Sequence, residues 1–223
     1  MSDKRKKPTK PLKPPDIPDD LSIEGLPGGT LRDRERYEAL VLTQLDLSGQ
    51  RTEYASFEGA RFSHVQMSGS KLMGLGLLDV RLEDCDLANT ELYRANLQRV
   101  ELISSRIVGV KATEAEFTDV LFRGCKGEFA LFTGAIFKSV RFEDCDLIEA
   151  DFSDADLSGV TFSRCKLDRC DMSRAKLAGS DFRGSDIEGM KVGIEELRGA
   201  IVDPMQAVGF VRLLGLVVKG EGE

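Results

Sequence analysis

From Leu42 to Leu197 every fifth residue belongs to one chemical class, and the phase never slips. The series begins Leu42, Leu47, Thr52, Phe57, Phe62, Met67 and ends Phe182, Ile187, Val192, Leu197. Only Thr52 and Gly127 among its members are not apolar, and none is charged, although 31% of the chain is. A second register lies two residues earlier and is small: Ala55, Ala60, Val65, Ser70, then onward to Cys165, Cys170, Ala175, Ser180 and Ser185. Alternate residues of an extended segment face the same way, so one small and one large residue point inward together. Five is odd, so a flat strand would send the next pair outward. The chain must therefore turn within every five residues.

The residue two after each large one suits that turn. Glycine holds the position at 49, 59, 69, 74, 109, 124, 134, 159, 179, 184, 189 and 199, aspartate at 79, 84, 119, 144 and 154, and asparagine at 89. These residue types tolerate the backbone angles of tight turns. An α-helical reading fails, because its apolar stripe would need alternating spacings of three and four, whereas here the inward residues alternate by two and three. What remains is a solenoid whose stacked turns share one core.

Runs such as Cys85-Asp86-Leu87-Ala88-Asn89, Ala95-Asn96-Leu97-Gln98-Arg99 and Ala150-Asp151-Phe152-Ser153-Asp154 resemble the pentapeptide-repeat family, whose motif is A(D/N)LXX. The resemblance implies an all-β solenoid: a right-handed quadrilateral parallel β-helix of four repeats per coil, here about eight 20-residue coils. The right hand agrees with the general rule for parallel crossovers. Residues 20 apart should then stack, giving ladders Phe122–Phe142–Phe162–Phe182 and Cys125–Cys145–Cys165. Tyr37 keeps the phase, which starts the first coil near residue 35.

The expected organisation has three parts: a disordered basic, proline-rich arm over 1–30, the β-helix over 31–202, and a C-terminal capping and dimerisation helix with a short tail over 203–223. The formal charge is −7. Residues 1–20 hold six Lys/Arg and four acids (net +2), leaving the rest at −9. The arm, with Lys4-Arg5-Lys6-Lys7 and five prolines, reads as a solvated leader, with nucleic-acid contact through residues 4–13 as the alternative. No apolar run resembles a signal sequence or a membrane span, so the expected location is cytoplasmic. Asp203-Pro204-Met205-Gln206 supplies a helix start, and Gly215 a stop after Leu214. That helix is apolar round most of its circumference. One face should cap the last coil, while Val208, Phe210, Val211, Leu213 and Leu214 form the candidate interface with a second copy, similar to the dimers of quinolone-resistance relatives.

Chemistry is sparse. His64, the only histidine, falls in a turn position with no partner at a recognisable spacing. All five cysteines lie in the small register and read as buried spacers. In-register stacking suits disulfide geometry poorly, and no second ligand type joins them to make a zinc site. An acidic band (Glu143, Asp144, Asp146, Glu149, Asp151, Asp154, Asp156) invites comparison with the paired acids of carbohydrate enzymes. No insertion interrupts residues 42–197 to wall a substrate cleft, so no catalytic, cofactor-binding or metal residues, and no small-molecule substrate, are expected. Instead Glu143, Asp144, Asp146, Asp151, Asp154 and Asp156 form a candidate surface for a protein partner. Two readings cover the gap at Gly127. Either Phe129 folds inward to fill it, or Leu121, Phe129, Leu131 and Ile136 make an exposed apolar patch.

The functional expectation is a non-catalytic rigid rod for protein–protein interaction. Its narrower form, implied by resemblance to the quinolone-resistance branch, is a homodimeric DNA mimic that binds DNA gyrase. The alternative is a structural or regulatory scaffold with no topoisomerase link. Arg164, Lys166, Arg169, Arg174 and Lys176 follow the acidic band directly, which departs from a continuous phosphate-like track.

Overall fold

A chain that must turn every five residues needs a left-handed backbone at each corner, and that is where the computed structural model places it. It describes residues 11–22 and 26–211. Asp79, Asn89, Asp119, Asp144 and Asp154 all have φ between 54 and 59°, as expected of the turn column. Tyr54, Arg99, Phe129 and Arg164 share the conformation. It costs an L-residue roughly 1–2 kcal/mol, so the burial beside each corner overrides local preference there.

Among the described residues the elements are a 3-10 turn (Pro27–Gly29), β1 (Arg36–Glu38), β2 (Val41–Thr43), β3 (Arg51–Glu53), β4 (Ser56–Ser63), β5 (Lys71–Met73), β6 (Gly76–Glu83), β7 (Asn96–Ile103), β8 (Glu116–Arg123), β9 (Ile136–Glu143), β10 (Thr161–Ser163) and one α-helix, α1 (Pro204–Val211). Strand pairing is parallel with a 20-residue register, as in Arg36 beside Ser56, Phe57 beside Leu77, Val100 beside Val120 and Phe142 beside Phe162. The main sheet runs β1-β4-β6-β7-β8-β9-β10 with β2 also on β4, and β3 pairs β5. The other sides are held by single bridges at the same spacing, for example Asp86–Arg106–Lys126–Asp146–Lys166. Regular strand pairing from Arg36 to Ser163 amounts to about six turns, slightly fewer than the eight expected. Beyond Ser163 the repeat carries on as isolated bridges as far as Ile201.

The interior is filled by stacked side chains. Phe122, Phe142, Phe162 and Phe182 form one ladder with ring centroids 4.5, 5.1 and 5.2 Å apart and planes within 8°. Phe117–Phe137 and Phe132–Phe152 form two more stacks, and Tyr37 stacks on Phe57 in the first coil. Where leucines outnumber the rings, an apolar cavity of about 30 Å³ remains among Leu77, Leu87, Leu97, Leu102 and Ile107. The small register has its own logic. Its hydroxyls and thiols donate to carbonyls of the preceding coil: Ser70 to Leu47 (2.7 Å), Thr90 to Met67 (2.8 Å), Cys165 to Phe142 (3.3 Å), Cys170 to Leu147 (2.9 Å) and Ser180 to Leu157 (2.7 Å). Polar residues are thus tolerated in the wall because each is satisfied there.

Two ends define the rod. Asp203 and Gln206 form a reciprocal capping box, each amide donating to the other's side chain at 2.9 Å. The buried Gln206 side-chain amide then donates to the carbonyls of Phe182 and Ser185, both at 2.7 Å, and so closes the last coil. At the other end lie residues 11–22, the described part of the basic, proline-rich 1–30 segment. They run along one corner of the rod: the Lys13 amide donates to Asp119, the Asp16 amide to Asp79 (2.8 Å), and Ser22 bridges Leu40. Prolines make such a segment inexpensive to order, because their backbone is already restricted. The basic run at 4–7 lies outside the described residues, as do Leu213, Leu214 and Gly215.

Candidate interaction surface

A 20-residue coil turns a linear cluster into a girdle. Glu143 ends β9 on one side, Asp144 sits at the next corner, Asp146 on the second side, Asp151 on the third with Asp154 at its corner, and Asp156 on the fourth. The candidate acidic surface therefore encircles the rod instead of lining one side.

The girdle is also largely neutralised, because the next coil carries bases at five of its positions, while Asp151 lies beside Asp171. Asp144 pairs with Arg164 (2.6 Å), Asp146 with Lys166 (3.0 Å), Glu149 with Arg169 (2.8 Å), Asp154 with Arg174 (2.7 Å) and Asp156 with Lys176 (3.3 Å). Glu143 pairs the other way, with Arg123 at 2.9 Å. Hydrogen bonds from Arg164 and Arg174 hold the Asp144 and Asp154 carboxyls below the usual carboxylate range. Exposed pairs of this kind contribute little to stability. Their main effect is to fix long side chains in place and flatten the electrostatic profile along the rod.

The four apolar candidates do not meet as a patch. Leu121 is buried on the β8 face, Leu131 and Ile136 are half-buried on two other sides, and Phe129 projects from a corner with 54% of its surface exposed. Phe129 does not fill the gap at Gly127. A Cβ there would come within 2.9 Å of Leu147 and 3.1 Å of Ile107, so the side chains above and below close the space themselves. The reading in which Phe129 folds inward is thereby corrected: φ of 59° at Phe129 directs the corner residue outward.

His64 is exposed at a corner. All five cysteines are buried and free. Donation of its proton toward Cys125 and then burial push the Cys145 thiol up to about 12, and burial first, with nearby Asp168 adding to it, does the same for Cys170. The contact with Cys145 lowers the Cys125 thiol. Among the described residues no group of His, Cys, Asp and Glu is placed to hold a metal ion, and no helix is long and apolar enough to cross a membrane. On α1, Val208 is exposed, while Phe210 and Val211 are half-buried. Phe210 packs on the core, and both residues line an apolar cleft of about 250 Å³ with Ile194, Leu197 and Val202.

One site was missed by sequence reasoning. Gly59, Asp79, Arg99 and Asp119 occupy the same corner of four successive coils, and residues 13–18 lie across them. Asp79 and Asp119 are buried, and Arg99 holds Asp79 in a fork at 2.6 and 2.5 Å. Burial works against the charged form of Asp79. The Arg99 hydrogen bonds and the Asp16 amide outweigh it, leaving that carboxyl below its ordinary range. Two aspartates 40 residues apart in one turn column were the available signal.

Comparison with known proteins agrees with this architecture. A family model described as a pentapeptide repeat region matches residues 75–144 and 135–199, and a second, pentapeptide repeats in eight copies, matches 42–74. Among solved structures, HetL, a pentapeptide repeat protein involved in heterocyst differentiation regulation in the cyanobacterium Nostoc, is 20% identical over 76% of this chain and 90% of its own, with a TM-score of 0.49. The plasmid-mediated fluoroquinolone resistance protein QnrB1, in a trypsin-treated form, is 20% identical over 86% and 99%, with a TM-score of 0.38. A pentapeptide repeat protein of the Arabidopsis thaliana thylakoid lumen is 19% identical over 57% and 72%, at 0.24. No curated protein matches the chain significantly. With both family models tiling residues 42–199, the chain belongs to the pentapeptide-repeat family.

Proposed function

We propose that this protein is a non-catalytic rigid rod that binds another protein through its outer surface. The observation that carries the reading is the pinned exterior. Outward charges are held by partners one coil away, from Arg81–Glu101 through Asp171–Lys191, over an interior packed without a sizeable cavity. Such a surface presents a fixed pattern at little ordering cost on binding. Cross-linking in native cells followed by mass spectrometry tests it. One protein should be captured in stoichiometric yield, and reversal of a girdle pair (Asp144→Arg with Arg164→Asp) should alter that capture if the girdle is the contact. Absence of any stoichiometric protein partner would refute the rod-scaffold reading.

The narrower form, a duplex mimic engaging DNA gyrase, draws support from the −9 balance of residues 21–223. The paired girdle weighs against it, because a phosphate track needs uncompensated acids along one side. A supercoiling assay decides: inhibition at stoichiometric levels favours the mimic, and none leaves the general scaffold. The same proposal includes a homodimer through α1, supported by exposed Met205, Val208 and Ile194 at one end of the rod. Sedimentation equilibrium should show a dimer at micromolar concentration and a monomer for Val208→Glu.

A further inference from the structure

The corner at Gly59, Asp79, Arg99 and Asp119 has the properties of a peptide receptor already holding a ligand. A polyproline-like chain rises about 3.1 Å per residue, so three residues span about 9 Å. Adjacent coils lie about 4.8 Å apart, so two coils span nearly the same length. Lys13 and Asp16 are three residues apart, and the carboxylates that receive their amides are two coils apart. The match extends to what lies between. Pro14 and Pro15 have no amide to donate, and the intervening coil presents the cation Arg99 instead of an acceptor. Further along, Pro18 rests on Gly59, where any Cβ would come within 2.8 Å of the proline ring. Donors meet acceptors, and the bare backbone meets the ring.

The anchoring hydrogen bonds use the main-chain amides of Lys13 and Asp16 and the contact at Gly59 uses a proline ring, while the Asp16 carboxylate adds an electrostatic attraction to Arg99. Beside this groove, Pro14, Pro15 and Ile17 form one wall of an open cleft of about 600 Å³ whose other wall carries Val41, Arg61, Arg81 and Glu101. We propose that this corner is a binding site for an extended X-Pro-Pro-X segment of a partner protein, and that residues 11–18 are its resident competitor. A tethered ligand competes at an effective concentration on the order of millimolar. The partner's apparent affinity is therefore lowered by the fraction of time the groove is open. The proposal deepens the reading of the rod as an interaction scaffold by naming one site and the chemistry it takes.

The test uses the full chain. A fluorescein-labelled octapeptide with the sequence of residues 11–18 is titrated, by anisotropy, into the wild type and into a chain carrying Pro14→Gly with Pro15→Gly. Those glycines loosen the resident segment without touching the core, which circular dichroism confirms. The peptide should bind the substituted chain at least about tenfold more tightly than the wild type. Adding Asp79→Gly, which removes the acceptor and is at ease with the left-handed corner, should abolish that binding; Asp119→Gly serves as the second variant. Equal affinity for both chains, binding to neither, or binding indifferent to both glycine variants overturns the proposal. A partner still captured by the Asp79→Gly chain would leave the scaffold reading standing and the groove discarded.

Discussion

Phe142 and Phe182 offer a controlled comparison of what stacking contributes to a coil. Both are phenylalanines of one ladder and both are essentially fully buried. They differ in neighbours. Phe142 lies face to face with Phe122 at 4.5 Å and Phe162 at 5.1 Å, and meets Phe132, Phe137 and Phe152 at 6.4, 6.0 and 6.2 Å. Phe182 has one ring partner, Phe162 at 5.2 Å. Truncation of a buried phenylalanine costs about 3–5 kcal/mol, and each aromatic pair adds about 0.5–1.5 kcal/mol beyond area burial. Phe142→Ala should therefore fall near the top of that range, and Phe182→Ala at least about 1 kcal/mol lower. In a quasi-one-dimensional array the terminal change should also loosen only the last coil, whereas the central one should weaken the whole. Guanidinium unfolding followed by circular dichroism gives the totals, and amide exchange gives the distribution. Equal losses for the two variants, or less than about 1.5 kcal/mol for Phe142→Ala, would show that ring stacking across coils does not govern stability.

Other outcomes follow from single contacts. Gln206→Ala removes the donor to the Phe182 and Ser185 carbonyls and half of the capping box; it should cost about 1–3 kcal/mol and raise amide exchange first around residue 185. Gly127→Leu restores the repeat on paper but overpacks against Leu147 and Ile107, so it should destabilise by about 1–3 kcal/mol in the same denaturation assay. For Asp79 the folded carboxyl titrates below its unfolded value, so its contribution is complete above the ordinary carboxylate pKa of about 3.9 and fades as pH falls through the lower folded value. The Asp16 amide resonance should thus shift toward its unbound position only in acid below about pH 4, and a transition near neutrality would contradict the Asp79 assignment.

How much of this was legible in the sequence depends on the range of the interaction. The five-residue phase located the inward registers, the first coil at Tyr37 and the left-handed corners, because each is set by residues within one pentad; the 20-residue ladders needed the four repeats per coil that the family resemblance implies. The Asp203–Gln206 cap was equally local. The placement of the acidic band was not legible in the band itself, because contiguity in sequence becomes a circuit in space. The correcting signal was present all along in the 20-residue offset between Asp144 and Arg164 or Asp154 and Arg174. At Gly127 the repeat predicted a hole that neighbouring coils close, which only packing reveals. The docked segment was hidden for a different reason. Its composition reports that it builds no core, and its anchoring uses backbone amides against a column of corners that exists only once the coils are stacked.

The central claim is that residues 20 apart stand one above another along the whole rod. Ser48 and Glu188 are exposed members of one such column, separated by seven coils or about 34 Å at ~4.8 Å per coil. Spin labels on Ser48→Cys and Glu188→Cys, attached while the buried native thiols stay unreactive, give that distance by double electron–electron resonance. A single narrow distribution centred near 34 Å is the predicted result; a broad distribution, or a centre displaced by two coils or more, would contradict the square solenoid.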